Sequence, residues 1–349
     1  MTTMRALVVV EPGRVELREV PMPQPGPYQA LTKIEACSFC SSTDVKIAAG
    51  ELPFVNQYPC IIGHEALGRV IEPGPKARYL TEGLRLLRST CAYPGTMLGE
   101  YHSGWGGMAE YGLVTDLRAM VEDLQIRADQ LPAVEQMHQP VPPEMSAPDG
   151  TMLITLKETL SSLQDMGMKP AARVLVVGDG AVGLAFAYWA KVLGASKAVV
   201  AGHHDVRLAQ ARKLGLDAAV NSAGTTLSEA IASDPAASGP FDFIIDAVGH
   251  HKIVEEAIPL LAPWGTLAVY GTSAHLKATV DVMAIPVGAR LLRASTDEPR
   301  VHTQVLEACR LGLVRPSDFY SHVLPLERAA DGLELLRRRE ALKVMVVMD

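Results

Sequence analysis

The chain has 349 residues, more than one ordinary hydrophobic core supports, and its length favours two domains. Hydrophobic residues make up 48% and charged residues 20% of the sequence, which is typical of a compact globular protein. The net charge of -7 argues against a broad nucleic-acid or anionic-membrane surface, and no apolar run approaches the roughly 18 residues of a membrane span.

Residues 4 to about 120 predict a small all-β barrel or sandwich. Short β-type runs at 5–10, 29–37, 68–72 and 109–114 are separated by turns rich in glycine and proline. A cluster of prolines then leads to Gly150, which we interpret as a stop signal and a domain boundary. The first domain is therefore predicted to cover residues 1–153.

The pattern changes after residue 150 to apolar strands that alternate with helices. Helices are predicted at 151–167, 181–194, 206–215 and 251–263, and strands at 172–178, 197–202, 241–249 and 265–271. This alternation indicates βαβ units, hence an α/β domain with a doubly wound parallel sheet over residues 154–290. From about 290 the pattern is mixed and ends in a helix and the strand 341–348, so residues 291–349 are expected to complete the first domain.

A glycine-rich loop joins the strand at 172–178 to the following helix. Gly178, Gly180 and Gly183 form G-x-G-x-x-G in the strand–turn–helix context that binds a dinucleotide. We expect the helix N-terminus to favour the pyrophosphate and the carboxylate of Asp179 to face solvent. The residues predicted to contact the cofactor here and after the strand at 241–249 are Gly178, Gly180, Ala181, Val182, Gly183, Ala247 and Val248.

The end of the second strand predicts which cofactor binds. An acidic residue about 20 positions after the glycine loop usually binds the ribose hydroxyls of NAD, but Gly202 stands there. His203, His204 and Arg207 follow and can offer donors and positive charge to a 2′-phosphate. Asp205 is the rival ribose ligand, although its simpler role is the N-cap of the next helix. The sequence therefore favours NADP(H) over NAD(H).

A metal site is predicted in the first domain. Cys40, His64 and Glu65 offer a thiolate, an imidazole and a carboxylate, and three such ligands with one open position are typical of catalytic rather than structural zinc. Cys37 makes a C-x-x-C with Cys40, but no second pair exists for a zinc ribbon. Cys37 is therefore interpreted as a small buried apolar residue.

Together these motifs resemble the zinc-dependent medium-chain dehydrogenase/reductase family of alcohol and polyol dehydrogenases. The matching segments are CSSTD at 40–44, GHE at 63–65, GGMAEY at 106–111, GDGAVG at 178–183, FDFIIDAVG at 241–249 and ALKVMVVM at 341–348. The resemblance implies a GroES-like β domain completed by the C-terminal segment and a Rossmann domain. It also implies zinc, cofactor and substrate in the cleft between them.

Two departures from the family pattern affect the metal prediction. The segment after residue 90 has only Cys91, so the four-cysteine structural zinc lobe is absent and one catalytic zinc per subunit is expected. Where alcohol dehydrogenases proper have a second cysteine ligand, this chain has Glu158, as in polyol-type relatives. The third protein ligand is then Glu65, Glu158 or both in exchange. Because one thiolate and one carboxylate already neutralise Zn²⁺, we favour Cys40, His64 and Glu65 as direct ligands.

A proton relay is implied by the resemblance. The segment CSSTDVK has one residue more than the family pattern, so the relay hydroxyl is Thr43 if the match is anchored on Thr-Asp and Ser42 if it is anchored on Cys40. We favour Thr43, whose alternative role is to cap a helix. The family's relay histidine falls at Lys46, which leaves the route of the proton open.

The expected function is hydride transfer between a secondary alcohol of polyol, sugar or cyclitol type and a nicotinamide cofactor. The alternatives are a zinc-free enoyl or quinone reductase, a redox-neutral isomerase or lyase with tightly held cofactor, and a non-catalytic NADPH-binding protein. The aromatic residues Tyr93, Tyr101, His102 and Trp105 either bind substrate hydroxyls or simply cover the cleft.

The expected partners are a small alcohol or ketone and further copies of the chain, with no nucleic acid and no membrane. The strand near 285–295 is expected to extend the sheet across a two-fold axis, giving a homodimer or homotetramer. Five cysteines spread along the chain do not suggest a disulfide framework, and the N-terminal apolar run is too short for a signal peptide. A cytoplasmic location is therefore predicted.

Overall fold

The computed structural model describes residues 2–52, 55–127, 130, 133–271 and 277–348. The chain forms two compact units, one of Met1–Ile154 with Tyr320–Asp349 and the other of Thr155–Phe319. Among the described residues, no helix is both long and apolar enough to cross a membrane.

The strands, numbered in chain order, are β1 (Thr3–Glu11), β2 (Arg14–Pro21), β3 (Gln29–Ser38), β4 (Cys60–Ile61), β5 (Glu65–Pro73), β6 (Arg85–Leu87), β7 (Met97–Leu98), β8 (Tyr101–Ser103), β9 (Tyr111–Thr115), β10 (Arg173–Val177), β11 (Lys197–Gly202), β12 (Ala218–Asn221), β13 (Phe241–Asp246), β14 (Leu261–Val269), β15 (Arg290–Arg293), β16 (His322–Pro325) and β17 (Val344–Val347). The helices are α1 (Asp44–Ala49), α2 (Leu117–Leu124), α3 (Ala147–Asp165), α4 (Ala181–Val192), α5 (Asp205–Lys213), α6 (Leu227–Ala232), α7 (His251–Ala257), α8 (Glu298–Arg310) and α9 (Ala329–Arg337).

The first unit consists mainly of two β-sheets. One has the strand order β2-β1-β4-β8-β7, and the other β16-β17-β3-β5-β6 with β9 also paired to β3. The C-terminal strand β17 runs antiparallel to β3, with Val346 opposite Cys37. Apolar side chains of both strands enter one core, in which Ile34, Phe39 and Val346 are fully buried.

The second unit contains a six-stranded sheet with the order β12-β11-β10-β13-β14-β15. All its strand pairs are parallel. The strand order reverses at β10, whose carboxyl end is the position where such sheets bind ligands. The predicted α/β fold class is confirmed.

The second unit extends further along the chain than the sequence indicated. Residues 291–319, assigned above to the first domain, belong to the second unit. Two contacts explain this difference: Leu292 of β15 pairs with Ala268 of β14, and Glu298 of α8 forms a buried ion pair with Lys157 of α3. At the other boundary, Gly150 does not stop a helix but lies in α3. A Cβ at Gly150 would come 2.8 Å from Leu67 Cδ2, so close packing explains the glycine.

Candidate metal centre and nucleotide loop

The three predicted metal ligands lie where β3 ends and β5 begins. Ser38 and Glu65 are opposite each other in the antiparallel β3–β5 pair, which brings the chain after β3 next to the turn before β5. Cys40 lies in the first of these segments and His64 in the second. One potential ligand atom from each of Cys40, His64 and Glu65 lies within 4.8 Å of the other two. A thiolate, an imidazole and a carboxylate at this spacing suit Zn²⁺.

Asp44 holds the two ligand segments together, a role that the sequence analysis missed. Its carboxylate accepts hydrogen bonds from the backbone N–H groups of Cys40 (2.8 Å) and Gly63 (3.1 Å). The same carboxylate is 3.7 Å from His64 Nδ1 and is fully buried. At 3.7 Å this is an electrostatic contact rather than a hydrogen bond, and it places a negative charge on the Nδ1 side of the ring. The signal was present in CSSTD, but its partners at residues 63 and 64 are remote in sequence.

The thiols of Cys37 and Cys40 have pKa values shifted in opposite directions. Burial raises the pKa of Cys37 well above its ordinary value, with Asp44 and Glu65 adding to the effect, so Cys37 stays a neutral thiol. Burial also acts on Cys40, but the hydrogen bond and charge of His64 outweigh it and leave the pKa of Cys40 lowered. Since the thiolate is the metal-binding form, the environment favours Cys40 as the ligand.

Glu65 is held by two partners that the sequence analysis also missed. Lys343 Nζ lies 2.5 Å from Glu65 Oε2, and the Ser38 hydroxyl donates to the same oxygen. Burial raises the pKa of Glu65, but Lys343 and His64 lower it more, so the group is ionised. Its second oxygen, Oε1, lies 3.8 Å from His64 Nε2 and is the one directed towards the other ligands. The sequence shows Lys343 within the apolar run 341–348 but gives no local sign of its partner.

The aromatic residues proposed to line the site lie in different environments. Trp105 packs beside His64, with ring centroids 5.6 Å apart. Its backbone has φ of 71°, a left-handed conformation that a bulky residue rarely adopts. Tyr101 is buried in a separate apolar cluster, while the Tyr93 hydroxyl bonds to Thr115 (2.8 Å). His102 continues the sheet of β4 and β8. Trp105 is therefore the aromatic side chain of this set that contacts a metal-ligand candidate.

The candidate relay residues follow Cys40 directly. Ser42 Oγ is 3.2 Å from Cys40 Sγ. Thr43 occupies the N-cap position of α1, but its side chain makes no capping hydrogen bond. Lys46 lies in the same short helix and is partly buried. The choice between Ser42 and Thr43 stays a prediction.

Glu158 belongs to the second unit, on α3. Every neighbour from Thr151 to Ser162 on this helix is buried, and Glu158 is only partly exposed. Its carboxylate accepts a hydrogen bond of 3.1 Å from the Tyr270 hydroxyl. The role of Glu158 at the metal stays a prediction.

The glycine loop has the features that a pyrophosphate site requires. Gly178 has φ of 130°, and a Cβ there would meet Ala247 and Val248 at 3.2 Å. A Cβ at Gly183 would lie 1.9 Å from the carbonyl oxygen of Gly178, so helix and strand pack without space between them. By contrast, a Cβ at Gly180 would meet nothing within 4 Å. Gly180 is the N-cap of α4, so Ala181 and Val182 are its first residues, whose backbone N–H groups have no acceptor within the helix.

Asp179 does not face solvent as expected. Its side chain is buried and reaches the end of β11, where Oδ2 accepts hydrogen bonds from the backbone N–H groups of His203 and His204, each at 2.8 Å. Oδ2 also lies 2.9 Å from His204 Nδ1, and Arg207 Nη1 is 3.6 Å from Oδ1. A Cβ at Gly202 would lie 2.4 Å from Asp179 Cβ, which explains the glycine there.

Asp205, the rival ribose ligand, is also placed differently from the prediction. It is the first residue of α5 rather than its N-cap, a position that His204 takes. The Asp205 carboxylate accepts a hydrogen bond of 2.8 Å from Asn221 Nδ2.

Comparison with known proteins gives matches in both units. Residues 26–122 match the family model of the alcohol dehydrogenase GroES-like domain, and residues 181–296 match that of the zinc-binding dehydrogenases. An alcohol dehydrogenase of Rhizobium meliloti (strain 1021) is 32% identical over 285 residues, 77% of either chain. A sorbitol dehydrogenase of Gallus gallus is 24% identical over 99% of this chain and 96% of its own.

A solved structure shares the fold of the whole chain. A protein described as a zinc-binding dehydrogenase from Sinorhizobium meliloti 1021, bound to NADP, superposes with a TM-score of 0.79 at 23% identity. The match covers 99% of this chain and 100% of the other.

Proposed function

Because the chain belongs to the zinc-dependent medium-chain alcohol and polyol dehydrogenase family and is an oxidoreductase of the alcohol dehydrogenase type, we propose that it interconverts a secondary alcohol and its ketone. The observation that carries this proposal is the cluster of Cys40, His64 and Glu65, with ligand atoms within 4.8 Å of one another. In the second unit, the glycine loop adds a dinucleotide site.

The residues of the first unit fit one zinc ion. Cys40 would supply a thiolate, His64 a ring whose Nδ1 lies 3.7 Å from Asp44, and Glu65 the oxygen Oε1. A zinc ion bound there acts as a Lewis acid towards a hydroxyl or carbonyl oxygen of the substrate. Since one thiolate and one carboxylate balance the charge of the ion, we propose Glu65 rather than Glu158 as its direct oxygen ligand.

The remaining groups of the first unit would orient the substrate and carry its proton. The Thr43 hydroxyl, which makes no capping hydrogen bond, would accept a hydrogen bond from the substrate hydroxyl and pass its own hydrogen outward, with Ser42 as the alternative and Lys46 on the route. Trp105 offers an indole face beside His64, which suits the C–H face of a polyol, sugar or cyclitol ring. Two features support this substrate class. One is the indole face of Trp105, and the other is Glu158 at the position where alcohol dehydrogenases proper have a cysteine.

The cofactor is a nicotinamide dinucleotide, which supplies or accepts the hydride. We favour NADP(H), because Gly202 brings no carboxylate to the strand end and the Asp179 carboxylate is already engaged by His203 and His204. Ala181 and Val182 present backbone N–H groups to the pyrophosphate, and Ala247 and Val248 border the loop.

We also propose a homodimer, or a tetramer built from dimers, assembled through β15. This strand ends the order of the six-stranded sheet and carries Leu291, which is 56% exposed. Trp264 and Val287 are each 75% exposed, and their backbones are joined by a hydrogen bond of 2.9 Å. An apolar sheet edge of this kind is a template for pairing with a second copy.

The test of the proposed function is a screen of secondary alcohols and polyols for NADP⁺ and NAD⁺ reduction, with Cys40→Ser and His64→Ala as variants. We expect both variants to lose turnover and zinc while retaining nucleotide binding, because the nucleotide loop lies in the other unit. Asp242→Asn, a carboxylate at the amino end of the parallel sheet, is the matched control and should retain turnover. Near-normal turnover by Cys40→Ser would contradict the metal assignment.

A further inference from the structure

The carboxylate that a Rossmann unit usually carries at the end of its second strand is replaced here by one from the glycine loop. Asp179 lies so close to Gly202 that a Cβ at residue 202 would be 2.4 Å from Asp179 Cβ, which leaves no room for a side chain there. The residue is only 5% exposed, and its oxygens receive two backbone N–H groups and the ring of His204. A carboxylate so engaged is not available to bind both hydroxyls of a ribose.

The hydrogen bond between His204 and Asp179 determines which nitrogen of the His204 ring can contact a ligand. An ionised carboxylate only accepts hydrogen bonds, so His204 Nδ1 carries the hydrogen that it donates to Asp179. Burial raises the pKa of Asp179, but His204 and the backbone N–H groups lower it more, which keeps the carboxylate ionised. The ring is therefore held through Nδ1, and Nε2 remains for a ligand. The His204 side chain is 28% exposed, in contrast to 6% for Asp179.

We propose that Asp179 is a positioning residue that holds the His204 imidazole as the group by which this protein distinguishes a 2′-phosphate from a 2′-hydroxyl on the adenosine ribose. An imidazolium ring donates through both nitrogens, so His204 can bridge the Asp179 carboxylate at Nδ1 and a phosphate oxygen at Nε2. Arg207, with Nη1 3.6 Å from Asp179 Oδ1, adds positive charge to the same cluster. This inference rests on the proposed nicotinamide dinucleotide site.

The experiment uses adenosine 2′,5′-bisphosphate and adenosine 5′-monophosphate as probes, because they bind through the adenosine end alone and need no metal or turnover. Calorimetric titration of the full chain should give tighter binding of the bisphosphate by about tenfold or more, the equivalent of one charge-assisted hydrogen bond. His204→Gln and Asp179→Asn should each reduce this ratio to about one to three, with the affinity for the monophosphate little changed.

A double variant separates positioning from a merely structural effect. If Asp179 acts through His204, the bisphosphate ratio of Asp179→Asn/His204→Gln should equal that of His204→Gln alone. Asp242→Asn is the control, since Asp242 also accepts a backbone N–H group, from Arg173 at 2.8 Å, but at the amino end of the sheet. It should keep the wild-type ratio.

Three results would overturn the inference: a wild-type ratio near one, an unchanged ratio in His204→Gln, or losses that add in the double variant. His204→Gln decides the question even if Asp179→Asn fails to fold, because the His204 ring is partly exposed. Failure of the wild type to bind the monophosphate, NADH and NADPH would instead refute the dinucleotide site itself.

Discussion

Replacing Lys343 with methionine tests how the candidate metal centre is held before any ion binds. Methionine keeps most of the length of the side chain but leaves the Glu65 carboxylate without its cation. Lys343 Nζ is 2.5 Å from Glu65 Oε2, and the two side chains are 4% and 2% exposed. Removing one partner of such a pair leaves an uncompensated buried charge and typically costs about 3–5 kcal/mol.

Because the Ser38 hydroxyl still donates to Glu65 Oε2, some of this charge remains stabilised. We therefore expect the free energy of unfolding of metal-free Lys343→Met to fall by about 3 kcal/mol, the lower end of that range. Lys343→Arg keeps the charge and should lose less stability than Lys343→Met, although its larger side chain must fit a buried site. Added zinc should stabilise Lys343→Met more than the wild type, since the ion restores a positive charge beside Glu65.

The assay is urea unfolding at neutral pH of chelator-treated and zinc-loaded protein, monitored by tryptophan fluorescence and circular dichroism. A metal-free Lys343→Met protein within about 1 kcal/mol of the wild type would refute the reasoning, because breaking a charge pair this deeply buried should cost more. An equal gain from zinc in both proteins would show that Lys343 and the ion are not coupled through Glu65.

Further predictions concern other parts of the chain. Burial lowers the pKa of His138 to about 4, below the 6.5 of an unfolded chain, so stability present above pH 6.5 is lost as the pH falls towards 4. The free energy of unfolding falls by up to about 3 kcal/mol over this range. The His138→Gln protein should not show this fall when its unfolding is measured at the same pH values. The same pH dependence in the variant as in the wild type would contradict the assignment. Gly202→Ala should lower the free energy of unfolding by about 1–3 kcal/mol, because the new Cβ meets Asp179. The same substitution made in an Asp179→Gly protein should cost much less, and thermal unfolding of these variants measures both effects. Leu291→Asp should convert the dimer to a monomer in light scattering; a wild type that is already monomeric at micromolar concentration would refute the proposed interface.

The parts of the site that the sequence revealed are those carried by short local motifs. Gly178, Gly180 and Gly183 could be assigned to a dinucleotide-binding loop because they lie within one strand–turn–helix unit. Their backbones meet different requirements there: a positive φ at Gly178, open space at Gly180 and close packing at Gly183. Cys40 and His64 could be paired because their residue types are zinc ligands, although their proximity depends on the antiparallel β3–β5 pair.

The missed residues act through partners far away in the chain. Lys343 meets Glu65 only because β17 returns to β3, and nothing local in the strand 341–348 indicates that pairing. Asp179 was expected to face solvent because a carboxylate is unfavourable beside a pyrophosphate, and nothing in the loop indicated the buried contact with His204.

The end of the second unit was predicted near 290 but lies at Phe319, although the sequence carried a signal for this. In α8, the buried residues include Val301, Val305 and Ala308, the spacing of a helix that packs one face against a core. Glu298 at the start of this helix is also buried, which for a glutamate requires a partner. That partner, Lys157, lies on a different helix.

The measurement that tests the central proposal most directly is zinc reconstitution followed by turnover. The full chain is stripped with a chelator, titrated with Zn²⁺, and assayed with NADP⁺ and a secondary alcohol found in the screen. We predict that activity is absent from the stripped protein and rises linearly to a plateau at one zinc per subunit, and that Cys40→Ser gains none. Full activity in the stripped protein, or a plateau at two zincs per subunit, would contradict a single catalytic metal centre at Cys40, His64 and Glu65.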